Sequence, residues 1–173
     1  NKRALQRELG LIEDDNKFMI AIVSRLTDQK GLDLIDYVME EICAEDTQLV
    51  ILGTGDPKYE NMFRYYDWKY NDRVRANIYY SEELSHRIYA AADAFLMPSL
   101  FEPCGLSQLM SLRYGCVPIV RETGGLKDTV IPYNEYTSEG TGFSFRNYNA
   151  HEMLDQIKYA KHIYKNRRVE WNK

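Results

Sequence analysis

The stretch Ser99-Leu100-Phe101-Glu102-Pro103-Cys104-Gly105-Leu106-Ser107 joins an apolar run, Ala94-Phe95-Leu96-Met97, to a helical pattern of Leu106, Leu109 and Leu112. It reads as a turn at the carboxyl end of a strand that opens into a helix, the place where α/β sheets bind ligands. The free N–H groups of such a helix opening suit a phosphate or diphosphate. A carboxylate beside an anion site is repulsive unless it has another task, such as gripping sugar hydroxyls, so Glu102 is the first catalytic candidate; the plain alternative is a solvated loop acid. A second candidate is Ser24-Arg25-Leu26-Thr27-Asp28-Gln29-Lys30-Gly31, which sets two cations five residues apart around a turn. Arg25 could grip a diphosphate through a forked pair of hydrogen bonds and Lys30 as a point charge. The alternative is a pair of surface cations bound to Asp28 or Asp33.

Three further loops could line the same edge. Leu52-Gly53-Thr54-Gly55-Asp56 carries two glycines that permit close approach of a ligand or positive φ. It lacks the third glycine of a dinucleotide fingerprint, and no phosphate-binding GxxxxGK[ST] run occurs. Tyr79-Tyr80-Ser81 offers a ring that could stack on a nucleobase or sit half-buried on the rim. Arg121-Glu122-Thr123-Gly124-Gly125 is a second glycine-rich opening onto a helix and a possible anion nest, or a flexible corner. His86, His151 and His162 lack a matching nucleophile or second ligand and read as helix-surface residues. Glu102 with Glu122 resembles a hydrolase acid pair only in residue type.

The elements that must position these residues alternate along the chain. Phe18–Val23, Gln48–Leu52, Arg75–Tyr80, Ala94–Met97, Cys116–Val120 and Gly142–Phe145 read as strands. Between them run helical patterns: Leu34, Ile35, Val38 and Ile42 on one face; a helix capped by Asp56 with Pro57 at its first position; one opened by Ser81-Glu82-Glu83; the helix after Glu102, stopped by Gly115; and a last one with Asn149 and Glu152 spaced as a capping box. Pro118 counts against a fully paired central strand. The polar loop Pro132–Thr141 reads as mobile. The pattern predicts an α/β domain, a Rossmann-like doubly wound parallel sheet spanning residues 1–173 as one unit.

The 173 residues carry a net charge of −4 and 45% hydrophobic residues, with no apolar run long enough to span a bilayer. The balance argues against general nucleic-acid binding and against a membrane partner. Cys43, Cys104 and Cys116 have no metal-ligand or CxxC spacing, and a sparse odd set fits a reducing cytoplasm. A start at Asn1-Lys2-Arg3 shows no signal peptide and suggests a piece of a longer protein.

Taken together, the turn Ser24–Gly31, Leu52–Asp56, Ser85-His86-Arg87-Ile88, Pro98–Leu106 and Thr123-Gly124-Gly125-Leu126-Lys127-Asp128-Thr129-Val130 resemble the C-terminal domain of bacterial glycogen synthases and plant starch synthases. The resemblance runs from Leu9-Gly10-Leu11 to about Arg168. It implies the C-terminal half of a GT-B glycosyltransferase, the nucleotide-sugar-binding domain, with the N-terminal acceptor-side domain and its Lys-x-Gly-Gly-Leu motif absent. It also implies retaining transfer of glucose from ADP-glucose to the non-reducing end of an α-1,4-glucan, with no metal or other cofactor. Carried over by position, Arg25 and Lys30 bind the donor diphosphate, and Glu102 lies beside the donor glucose. Gly105, Leu106 and Ser107 match the helix opening near the sugar and phosphate, Tyr80 stacks on adenine, and Gly53, Cys104, Thr123, Gly124 and Gly125 are further substrate-binding candidates. A second glutamate eight positions after the first, found in many retaining relatives, is replaced here by Met110, as in glycogen and starch synthases. A UDP-sugar transferase, a nicotinamide-binding domain and a non-catalytic binding module remain as alternatives, told apart by nucleotide binding.

Overall fold

The computed structural model describes residues 2–99, 116–122, 142–166 and 171. Its elements are α1 (Lys2–Leu9), β1 (Phe18–Val23), α2 (Leu32–Tyr37), α3 (Met39–Ile42), β2 (Thr47–Leu52), α4 (Pro57–Lys69), β3 (Val74–Asn77), α5 (Glu82–Ala91), β4 (Ala94–Met97), β5 (Val117–Arg121), β6 (Phe143–Phe145) and α6 (Ala150–Asn166). The expected helix after Glu102, its stop at Gly115 and the Pro132–Thr141 loop lie outside the described residues.

The six described strands form one sheet in the order β3-β2-β1-β4-β5-β6. Every pairing is parallel. Side chains alternate across a strand, and β1 shows the result. Phe18, Ile20 and Ile22 enter a core beneath α2, α3, α4 and α6. Met19 and Ala21 enter a second core beneath α1 and α5. A strand covered on both faces must read as a continuous apolar run, which is how β1 was legible in the sequence.

Four local expectations change. The strand expected over Arg75–Tyr80 is Val74–Asn77. Asn77 pairs with Leu52, the last residue of β2, and its side-chain amide donates to the Ile51 carbonyl, so the ladder ends there and Tyr79 and Tyr80 fall in the loop. The single helix expected through Ile42 is broken at Val38 (φ −117°, ψ 20°) into α2 and α3, although Leu34, Ile35, Val38 and Ile42 are all buried. Pro118 does occupy an internal strand. Its neighbour Val117 donates to Asp93 on the β4 side, and Glu122 donates to Phe145 on the β6 side. Alternation therefore turns the proline nitrogen toward β6, one residue ahead of the first ladder pair, Ile119–Phe143, so no mid-ladder bond is lost. In the last capping motif, Asn149 accepts from the amides of His151 and Glu152, but the Glu152 carboxylate takes Asn147 instead of the cap's own amide. The caps at Asp56 and Ser81 form as expected.

The amino edge of the sheet is closed by a buried charge that sequence reading did not find. Asp93 Oδ2 accepts from the Met19 amide at 2.8 Å and from Lys2 Nζ at 2.6 Å. Lys2 also reaches the carbonyls of Asp15 and Lys17 and the Tyr164 hydroxyl of α6. Burial pushes the Asp93 carboxyl above the ordinary carboxylate value, against the opposing pull of Lys2. Asp93→Ala removes the counter-charge of the Lys2 ammonium, leaving it neutral oxygens only, and the acceptor of the Met19 amide, so unfolding free energy should fall by about 3–5 kcal/mol. Asp93→Asn, which keeps an acceptor for Met19, should lose less; denaturant titration of both variants checks this.

Candidate functional site at the carboxyl edge of the sheet

In the observed order, β1 and β4 are neighbours, and the chain leaves β1 toward β2 but β4 toward β5, in opposite directions. The crevice outside their carboxyl ends is the switch point where doubly wound sheets bind ligands. The turn Ser24–Gly31 emerges from β1 there, and Pro98-Ser99, the base of the Glu102 turn, emerges from β4.

Arg25 is exposed, and its side chain makes no hydrogen bond or ion pair among the described residues. The carboxylates that could have claimed the two cations are engaged elsewhere. Asp28 accepts from the Tyr59 hydroxyl at 2.6 Å and from Lys58 Nζ at 3.1 Å. Tyr59 first, then Lys58, hold its carboxyl below the ordinary value. Asp33 accepts from the Tyr148 hydroxyl. Lys30 is half-buried and shares a small recess with Ser24, Met97, Pro98 and Ser99.

Gly31 joins the two loops. Its φ of +74° is left-handed, and a Cβ there would lie 1.9 Å from the Pro98 carbonyl oxygen. The cation turn is therefore pressed main chain to main chain against the base of the Glu102 turn.

The glycines after β2 serve a similar contact. A Cβ on Gly53 would meet the Ser24 carbonyl at 1.9 Å, and one on Gly55 would meet the Leu26 carbonyl at 2.5 Å. Leu26 donates to Thr54 and accepts from Asp56, an isolated parallel bridge between the two loops. The Gly53 amide goes to Asn77 and the Gly55 amide to Glu60. Close approach is what these glycines permit, and the partner it brings is the β1 turn.

Tyr80 lies on the same edge, past the end of β3, and is 83% exposed. It is not the half-buried rim residue of the plain reading. Glu122 accepts from Ser144 Oγ at 3.1 Å and lies 3.9 Å from Arg146 Nε. Sequence reading named Arg121 only as the start of a glycine-rich opening, with no role of its own, and missed Tyr148. Arg121 Nη1 donates to the Ser99 carbonyl at 3.3 Å, and its guanidinium lies 5.6 Å from the Tyr148 ring centroid. With the Tyr148–Asp33 bond, this chain of contacts ties β5 and α2 to the base of the Glu102 turn. The only advance signal was a cation closing an apolar strand.

Arg25, Lys30, Gly53 and Tyr80 are thus brought to one edge. Glu102, Cys104, Gly105, Leu106, Ser107, Thr123, Gly124 and Gly125 lie outside the described residues. The histidines are on outer helices: His86 lies 3.7 Å from Glu82, His151 is edge-on to Tyr37, and His162 meets Asn166. Among the described residues no group of His, Cys, Asp or Glu could hold a metal, and no helix is long and apolar enough to cross a membrane.

This sheet, with its switch point and flanking helices, is the C-terminal Rossmann-like domain of a GT-B glycosyltransferase. The family model for glycosyl transferases group 1 matches residues 5–173, and the chain belongs to that family. It is 77% identical over its full length to a glycogen synthase of Lachnospira eligens and 58% identical to one of Clostridium acetobutylicum. It spans 36% of the length of each. The catalytic domain of starch synthase IV from Arabidopsis thaliana, bound to ADP and acarbose, superposes with a TM-score of 0.90 at 35% identity, over 99% of this chain and 36% of that one. The C-terminal domain of a glycosyl transferase group 1 protein from Francisella tularensis shares the fold, with a TM-score of 0.73 at 16% identity, over 99% of this chain and 86% of that one.

Gly31→Ala should destabilise the chain more than Gly10→Ala does. Both positions have similar φ, +74° and +75°, and so similar backbone strain, about 1–3 kcal/mol. Only residue 31 adds a collision with main chain, whereas a Cβ at residue 10 first meets the Arg75 side chain at 3.6 Å. Equal denaturation midpoints for the two variants would show that the loop contact is not tight.

Proposed function

We propose that this chain is the donor-binding half of a retaining glucosyltransferase that moves glucose from ADP-glucose to the non-reducing end of an α-1,4-glucan, the glycogen synthase reaction. The observation that carries the reading is an unclaimed Arg25 at the switch point, beside Lys30, with the neighbouring acids Asp28 and Asp33 bound to other groups. The glycogen synthase names of the relatives support a glucan product, and the ADP bound to the similar starch synthase domain supports adenine as the base.

The chemistry asked of these residues is mainly electrostatic. As the glucosyl–phosphate bond breaks, negative charge grows on the leaving diphosphate. Arg25 and Lys30 stabilise it where it develops, and the helix opening at Gly105-Leu106-Ser107 contributes free amides. No metal is assigned a part. Glu102 orients the donor glucose or supports positive charge at its anomeric carbon. Cys104, Thr123, Gly124 and Gly125 line the sugar and phosphate side, and Tyr80 stacks on adenine with Gly53 in the adjoining loop. The acceptor is held by an N-terminal domain in the part of the relatives that this chain does not span, and the compartment is the cytoplasm.

The chain alone should bind ADP weakly, more tightly than UDP or NADH, and should transfer no glucose, because no acceptor is positioned. Arg25→Ala and Lys30→Ala should each weaken ADP binding by about tenfold, as loss of a charge-assisted hydrogen bond does, and flatten its salt dependence. Calorimetric titration decides; unchanged affinity in both variants would make them ordinary surface cations.

In the whole protein, Glu102→Gln keeps the side-chain shape and removes the charge. The turnover number should drop by orders of magnitude with donor KM little changed, the signature of an interaction made in the transition state. A turnover number close to wild type would remove Glu102 from the catalytic role and leave the nucleotide-sugar assignment in place.

A further inference from the structure

Ser99 is 0% exposed, so its carbonyl must find a donor within the protein. Arg121 supplies one. Val120 is in register with Met97, which sets Arg121 beside the chain just as it leaves β4. From there Nη1 donates to the Ser99 oxygen at 3.3 Å, a charge-assisted bond. The guanidinium is steadied from a second side, 5.6 Å from the centroid of the Tyr148 ring and within cation–π range. That ring is half-buried and packs against the core that α2 and α6 cover. Its hydroxyl donates to the Asp33 carboxylate, in the first turn of α2. Burial first, then this bond, push the phenol above its ordinary value, so the hydroxyl keeps its proton and remains a donor.

The two ends of this strut fall on the two turns of the candidate site. Asp33 follows Lys30 by three residues, and Ser99 precedes Glu102 by three. Three residues span at most about 11 Å, so the point where the chain leaves Ser99 bounds where the Glu102 carboxylate can go. Gly31 and Pro98 already press the two turns together, main chain to main chain. A close contact stops the turns from approaching further, but it does not stop them from parting or sliding. The chain Ser99–Arg121–Tyr148–Asp33 supplies the tie that contact lacks.

We propose that Arg121 and Tyr148 are positioning residues for glucosyl transfer, holding the base of the Glu102 turn at a fixed offset from the Arg25–Lys30 turn. The proposal rests on the reading of the whole protein as a glucosyltransferase. Under that reading the cations take the diphosphate and Glu102 takes the glucose, on either side of the bond that breaks. Holding the diphosphate needs the cation turn alone. Stabilising the transition state needs both turns in place, and a misplacement of about 1 Å costs on the order of 10²-fold in rate. Loosening the strut therefore lowers kcat and spares donor KM.

The test uses the whole protein in three variants. Arg121→Lys keeps the charge and loses the planar fork. Tyr148→Phe keeps the ring and loses the bond to Asp33, and the third variant carries both changes. Steady-state rates give kcat and donor KM per folded enzyme, with the folded fraction read by circular dichroism. Arg121→Lys should lower kcat about tenfold and Tyr148→Phe about threefold, each with donor KM within about twofold of wild type. Because both act through one strut, the double variant should fall no further than Arg121→Lys alone. Hydrogen exchange without substrate should rise in segments 31–37 and 94–99 of Tyr148→Phe, although the lost bond touches only the first. A wild-type kcat per folded enzyme in either single variant overturns the proposal, whatever the loss of stability. So do additive losses in the double variant, which would make the two contacts independent. If the wild-type protein transfers no glucose, the proposed reaction falls, and exchange alone then decides the strut: a rise confined to 31–37 refutes it, and a rise in both segments supports it.

Discussion

The carbonyl oxygen of Pro98 occupies the space that a side chain on residue 31 would need. That contact follows from the topology. Strands β1 and β4 are neighbours, their following segments depart to opposite halves of the sheet, and the turns between must fold back on each other before they separate. Three main-chain approaches hold the edge together: Gly31 to Pro98, Gly53 to Ser24 and Gly55 to Leu26. Each requires a residue without Cβ, and Gly31 also requires left-handed φ. The position of the Arg25–Lys30 turn relative to the base of the Glu102 turn depends on them.

The two edges of the sheet treat charge in opposite ways. At the amino edge, Asp93 and Lys2 are buried together and satisfied by Met19, Tyr164 and nearby carbonyls, so the charges lock α1, β1, β4 and α6. At the carboxyl edge, Arg25 is exposed with no partner among the described residues, and the acids around it are held by Tyr59, Lys58 and Tyr148. Withholding those carboxylates leaves Arg25 available to a ligand. The same separation explains why the α4 opening is a poor anion site: the Asp56 carboxylate already accepts the Lys58 amide and that of Glu60 the Gly55 amide.

Much of this architecture was written locally. Apolar runs such as Phe18–Val23 and Thr47–Leu52 are continuous because both faces of the strand are covered. The caps at Asp56 and Ser81 need only their own next few residues, and both formed where their residue types placed them. The resemblance to glycogen and starch synthases was legible for a related reason, since its motifs are short loop sequences at fixed points of the fold.

What the sequence alone determined, then, was the number of the described strands and their succession along the chain, the parallel arrangement their connections require, and the cations standing before a helix. Tertiary structure decided who partners whom. That Asp28 belongs to Tyr59 and Lys58, that Asp33 belongs to Tyr148 across 115 residues, and that Gly53 serves a neighbouring loop are contacts between segments distant in the chain. The end of β3 at Asn77 was set by the end of β2, and Pro118 was tolerated because of the side its nitrogen faces. Spacing along a chain encodes the periodicity of one element, but a hydrogen-bond partner or a main-chain clash exists only once two elements have been brought together.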